Sequence, residues 1–274
     1  MITPDGTPDY NVKITGLVAK LRTNPVGNLV LNAIVKKVIV KPISAHLDDK
    51  TKKPDQHPNS CQGITSADDR NAANILLKKP GEPGYNEKRD KYYSSARRGA
   101  TFDASEVPTG KGSTSVLYFT PGDKGMCVNH KGHSVTADSE TTFLHELVHA
   151  ARISQGIVSA IPTVEHDYRN EEEFLGVEIE NVYISARDGK NAKFRHSHSA
   201  EGDGKVPEWD TSKGLVDESD LFDVLKYHAN WGLFKELAKL DKIPFNPFYE
   251  YDQRQKLKAK PAANKPAPVG AGRK

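Results

Sequence analysis

The sequence predicts an α+β chain, and three observations carry that prediction. Two amphipathic helix patterns come first, over residues 9–22 and 26–37. A compact run of mostly β-branched residues, Val38-Ile39-Val40-Lys41-Pro42-Ile43, then reads as a strand. A second strand pattern, Gly112 to Gly122 with a Pro-Gly turn at its end, precedes two long helix patterns. Helix, helix, strand is the order of a mixed chain rather than an all-helical one.

The 274 residues suffice for one large core or two modest ones, and 36% hydrophobic with 27% charged residues is ordinary for a soluble globular protein. No apolar run approaches the ~20 residues needed to cross a bilayer, so no membrane insertion is expected. Met1 to Gly6 offers no basic segment followed by an apolar one, hence no ordinary signal peptide. Export would then need a specialised secretion machine. Cys61 and Cys127 are too few for a disulfide framework and too far apart for a CxxC metal site. The net charge is +3, yet Arg254 to Lys274 alone holds seven basic residues and no acid, which leaves the remainder net negative.

Taken in order, the first helix should bury Val12, Leu17, Val18 and Leu21. Asn24 followed by Pro25 reads as the cap and first-turn proline of the second, whose apolar face is Val26, Leu29, Val30, Ala33 and Ile34. From Ser44 to about Gly112, prolines, glycines and polar residues dominate and no element is expected; long segments of this kind are functional loops or surface excursions. Lys88 to Lys91 and Arg97-Arg98 read as a solvated surface, since Tyr92-Tyr93 alone is too little aromatic support for nucleic-acid binding. The strand at 112–122 is expected, by analogy alone, to border a cleft and pair with an extended substrate. His130 and His133 read as loop histidines.

The chemistry centres on Thr141-Thr142-Phe143-Leu144-His145-Glu146-Leu147-Val148-His149-Ala150-Ala151-Arg152. In a helix, His145 and His149 project from one face a turn apart, a spacing that suits a zinc ion. Glu146 stands beside the pair, where a carboxylate can take a proton from a metal-activated water without itself being a ligand. Asp138, Ser139 and Glu140 supply the cap and first-turn acid, and Gly156 ends the helix. Two histidines under-coordinate zinc, because catalytic sites have three protein ligands and one open position. His166 and Asp167 lie in the following loop. The better source of a third ligand is the next helix pattern, Asn170 to Ile184, which opens with Glu171, Glu172 and Glu173, ranked Glu173, Glu172, Glu171. Gly176 would let this helix approach the first closely.

HELVHAAR followed by Glu172-Glu173-Phe174-Leu175-Gly176-Val177 through Asn181-Val182-Tyr183 resembles the gluzincin peptidases found as bacterial effectors and polymorphic-toxin domains, and is distantly similar to clostridial neurotoxin light chains. Residues 21–43, 115–121, Phe194-Arg195-His196-Ser197-His198 and Phe245-Asn246-Pro247-Phe248 also look like that pattern, so the resemblance spans most of residues 12–250. It implies a zincin-like fold, His145, His149 and Glu173 as ligands of one Zn2+ per chain, and Glu146 as general base. Tyr183, Arg195, His196 and His198 are the candidates for stabilising the oxyanion.

Beyond a Gly/Asp/Lys loop, one helix is expected from about Glu218 to Leu240, with Leu221, Phe222, Leu225, Trp231, Leu233, Phe234 and Leu237 as core. Tyr227 and His228 read as packing or surface residues. The whole is then a metallopeptidase domain over 1–252 and a disordered basic tail over 253–274. The resemblance implies a secreted effector or toxin that cleaves a protein in the cytosol of a target cell, with an immunity protein or secretion-system carrier as further partners and no nucleic acid. The alternatives are a housekeeping zinc peptidase, an enzyme using Asp167 as third ligand, and a zinc-stabilised binding module without activity.

Overall fold

A computed structural model describes residues 1–47, 63–96, 102, 105–122, 126–128, 134–136, 138–163, 168, 170–192, 194 and 219–259. In chain order these form β1 (Ile2–Pro4), α1 (Pro8–Thr23), α2 (Pro25–Ala33), β2 (Val38–Lys41), β3 (Gly63–Ala67), α3 (Arg70–Ala73), β4 (Asn74–Leu76), α4 (Glu87–Ala96), β5 (Glu106–Pro108), β6 (Ser115–Phe119), β7 (Met126–Val128), β8 (Ser134–Thr136), α5 (Ser139–Gln155), α6 (Glu171–Asp188), α7 (Ser219–His228), α8 (Gly232–Leu237) and α9 (Pro247–Ala259). The architecture is mixed, mostly helical with a small mixed sheet. Among the described residues no helix is long and apolar enough to cross a membrane.

Local chemistry explains the first turn of the fold. Thr7 caps α1, with its side chain accepting from the Tyr10 amide, and Pro8 occupies the first turn. Asn24 serves two helices, closing α1 with its amide and opening α2 with its side chain, which accepts from the Val26 and Gly27 amides. The buried face of α1 is Tyr10, Ile14 and Leu21, whereas Val12 is exposed. Leu21 is buried as expected and Leu17 and Val18 pack partly buried against the core, so only Val12 departs from the expected face; Tyr10 enters the core instead, its hydroxyl donating to the Phe119 carbonyl at 2.8 Å. Helix α2 stops at Ala33 rather than Lys37, and Ile34 is already extended.

The main sheet has the order β1-β2-β6-β3. β1, β2 and β6 are parallel, with Val38 opposite Ser115 and Val40 opposite Leu117, while β3 runs antiparallel with Thr65 opposite Leu117. β6 is therefore paired on both sides and has no free edge for a substrate, contrary to the expectation for 112–122. The edges are β1 and β3, and β3 lies in the stretch expected to be irregular. The same stretch also holds α3, α4 and the antiparallel pair β4–β5.

Helix α5 packs against β3 and β6 on one side and α6 and α2 on others, and nearly every residue of it is buried. Phe143 meets Phe119 of β6 with ring centroids 5.2 Å apart. The helix expected over 218–240 is two helices, α7 and α8, broken at Ala229-Asn230-Trp231. Trp231 turns its side chain into the core at that corner. α9 carries helical order to Ala259, so the first residues of the basic tail, Arg254, Lys256 and Lys258 among them, are helical.

Candidate metal centre

The two chemistry-bearing helices begin with strong caps. Asp138 caps α5 by accepting from the Glu140 amide at 3.0 Å, and Gly156 ends it in the left-handed conformation at φ 67°, which costs a glycine nothing. Asn170 caps α6 by accepting from the Glu173 amide at 3.0 Å. The three following glutamates occupy the first turn, where the helix N-terminus favours negative charge.

Successive side chains on a helix diverge by about 100°, so the three glutamates meet different partners. Glu173 turns to the histidine pair. Its Oε2 lies 3.3 Å from His145 Nε2 and 3.4 Å from His149 Nε2, and the two nitrogens are 3.0 Å apart. Glu172 does not join them; its Oε1 lies 3.3 Å from His149 Nδ1 and its Oε2 accepts from Arg152 Nε at 2.7 Å. Glu171 accepts from Ser159 Oγ at 2.8 Å and lies 3.1 Å from His228 Nε2. The expectation of Glu172 as a ligand is thus corrected: its carboxylate is already engaged behind the imidazole.

His145, His149 and Glu173 form the group of potential ligands within the described residues. Zinc with ligand bonds of about 2.0–2.1 Å in a tetrahedral arrangement sets neighbouring ligand atoms about 3.3–3.4 Å apart. The three observed edges, 3.0, 3.3 and 3.4 Å, are close to one face of that tetrahedron. The residues present fit the ion.

What lies behind the imidazoles fits as well. His145 Nδ1 is 3.4 Å from Glu180 Oε2, and His149 Nδ1 has Glu172. A carboxylate at Nδ1 holds the proton there and turns Nε2 outward as a bare lone pair, the form a metal needs. Burial alone would push both histidines down. The carboxylates of Glu173 and Glu180 around His145, and of Glu173 and Glu172 around His149, outweigh burial and raise both, His149 strongly. Burial works on Glu172 in the opposite sense, yet Arg152 and His149 hold its carboxyl below the usual range. Exposure rises from 3% for the His145 side chain to 12% for His149 and 20% for Glu173, so solvent reaches the cluster from the Glu173 side.

Two glycines set the distances. A Cβ on Gly176 would stand 2.6 Å from His145 Cε1, so only glycine lets α6 cross α5 this closely. A Cβ on Gly63 would stand 2.1 Å from Glu146 Cγ. Two residues along β3, Thr65 Oγ1 donates to Glu146 Oε2 at 2.6 Å. Strand alternation aims both positions at α5, and the edge strand therefore fixes the rotamer of the glutamate beside the histidines.

No protein-family model and no curated protein matches the chain.

Tyr183 is not at the cluster. It is buried in the hydrophobic core, ten residues and about 15 Å along α6 from Glu173. Arg195, His196 and His198 lie outside the described residues, as do His130, His133, His166 and Asp167. Sequence reasoning missed Glu180, Thr65, Gly63, Ser159 and the buried placement of Arg152, while His228 is buried, in line with the packing alternative given for it. Glu180 carried a signal: seven residues after Glu173, it lies two turns along the same helix face.

Proposed function

We propose that His145, His149 and Glu173 hold one zinc ion and that the protein is a zinc-dependent endopeptidase with Glu146 as general base. The observation that carries this reading is the set of three ligand atoms at tetrahedral-face distances, with both imidazoles turned by carboxylates at Nδ1. Zinc in that place supplies Lewis acidity, making a water ionisable near neutral pH and drawing charge from a peptide carbonyl. The chain supplies the rest. Glu146 follows His145 on the same helix, and Thr65 occupies its Oε2, which leaves Oε1 to accept the proton of an attacking water and return it to the leaving amine. β3, a sheet edge among the described residues that lies along α5 at Glu146, offers its outer side to an extended peptide.

α5 packed against a small mixed sheet whose edge strand is antiparallel, with a crossing glutamate helix, supports a zincin-like fold. The resemblance of HELVHAAR and the Glu172-Glu173-Phe174 helix to gluzincin effectors further supports a peptidase exported to act on a protein of a target cell. The test is incubation of the zinc-loaded protein with a lysate, followed by sequencing of new N-termini. Wild type should generate them and Glu146→Gln should not. Zinc-loaded wild type that yields none from any lysate, its own host's included, would refute the peptidase reading.

A further inference from the structure

Behind the candidate metal cluster lies a second, largely buried polar cluster, of which the peptidase reading uses only Glu172. Arg152 stands three residues after His149 on α5 and has no solvent exposure. Its Nε donates to Glu172 Oε2 at 2.7 Å, and its Nη2 donates to the Ile157 carbonyl at 2.8 Å. The Ser159 amide donates to the same Glu172 oxygen at 3.2 Å. On the other side the guanidinium carbon stands 4.7 Å from the centre of the Trp231 ring, and Nη2 is 3.5 Å from His228 Nδ1. His228 Nε2 closes the ring on Glu171, while Trp231 Nε1 donates to Gln155 Oε1 at 3.2 Å. One guanidinium thus joins a metal-facing imidazole to the α7–α8 corner.

Burying such a pair brings no net stability over apolar side chains of similar volume, so its presence is explained by what Glu172 does with its other oxygen. The planar guanidinium of Arg152 and the Ser159 amide both hold Glu172 Oε2, which fixes the plane of the carboxylate and so the direction in which Oε1 meets His149. We propose that Arg152 is a positioning residue of the metal centre: acting through Glu172 it fixes His149 with its Nε2 lone pair toward the ion, and His228 and Trp231, by enclosing the guanidinium, make metal retention depend on docking of the α7–α8 corner. This rests on the reading of His145, His149 and Glu173 as a metal site.

The test is zinc affinity of the full chain, measured by competition with a chromophoric chelator, beside thermal melts of the metal-free forms. Arg152→Lys and Glu172→Gln should each weaken zinc binding by about 10- to 100-fold, and the double variant should bind no more weakly than the worse single one, since the arginine acts only through the glutamate. His228→Gln should weaken binding in the same direction. A merely structural arginine would lower the melting temperature and leave zinc affinity alone. Arg152→Lys with wild-type affinity, or a double variant whose loss multiplies the two single losses, would overturn the proposal. Should Arg152→Lys not fold, unchanged affinity in His228→Gln overturns the coupling and weakened affinity upholds it. Wild type that binds no zinc fails the metal reading itself, an outcome distinct from wild type and variants binding alike.

Discussion

Gly176→Ala adds one carbon, and the structure fixes what it meets. The new Cβ would lie 2.6 Å from His145 Cε1, 3.0 Å from Nδ1 and 3.1 Å from Nε2. Ordinary carbon contacts begin near 3.5 Å, so the imidazole must retreat by about 1 Å or the two helices must part by as much. Metal sites tolerate ligand displacements of only about 0.2 Å, and the ring is held on both edges by Glu173 and Glu180. Zinc affinity should therefore fall by at least the roughly 10- to 100-fold that follows from disturbing a ligand's orientation. The metal-free form should lose no more stability than this, a net of about 0–2.5 kcal/mol. Overpacking costs about 1–3 kcal/mol, and alanine in place of glycine within a helix returns about 0.5–1 kcal/mol. Each net kcal/mol lowers the melting temperature of a chain this size by about 2–4 °C. Chelator competition gives the affinity and calorimetry the melt. Wild-type zinc affinity in Gly176→Ala would refute the close crossing of α5 and α6 as the device that builds the site.

Three further outcomes are expected. Glu146→Gln should keep its zinc and lose about 10²- to 10⁴-fold in peptidase turnover, and Thr65→Val should lower turnover with zinc retained, because the glutamate loses its 2.6 Å partner. In the metal-free protein the raised His145 and His149 favour their protonated forms; their contribution to stability is complete below the unfolded histidine value of about 6.5 and is lost as pH rises through the higher folded values. Zinc needs the neutral rings, so its affinity should climb over that same rise; melts with and without chelator at several pH values, diverging as pH increases, check both signs. Phe143→Ala, which removes a fully buried ring from its contact with Phe119, should cost about 3–5 kcal/mol by denaturant titration.

The metal helix was legible because its signals are local: a cap at Asp138, a stop at Gly156, and two histidines one turn apart. The demand for a third ligand pointed to the Glu171-Glu172-Glu173 turn, but choosing among them needs the azimuth of α6 against α5, which no local pattern carries. The 100° between neighbours sends one to the cluster, one behind His149 and one to His228. β3 was illegible for a different reason. Gly-Ile-Thr-Ser-Ala is short and small, and it is a strand because β6 pairs with it and because Gly63 and Thr65 fit against Glu146. The apolar spacing over 218–240 continued across a break at Trp231, since the corner buries its tryptophan as a helix would. Arg152 stands in the last turn of α5, and only the tertiary packing makes it a buried partner of Glu172.

The central claim, a catalytic-type zinc site, is tested most directly by metal content. Purified, zinc-reconstituted wild type, His149→Ala, Glu173→Ala and Glu146→Gln would be passed over a desalting column and measured by inductively coupled plasma mass spectrometry. The geometry predicts one zinc per chain in wild type and Glu146→Gln, and substantial loss in His149→Ala and Glu173→Ala. Wild type that retains no zinc, or a Glu173→Ala variant that retains a full equivalent, would contradict it.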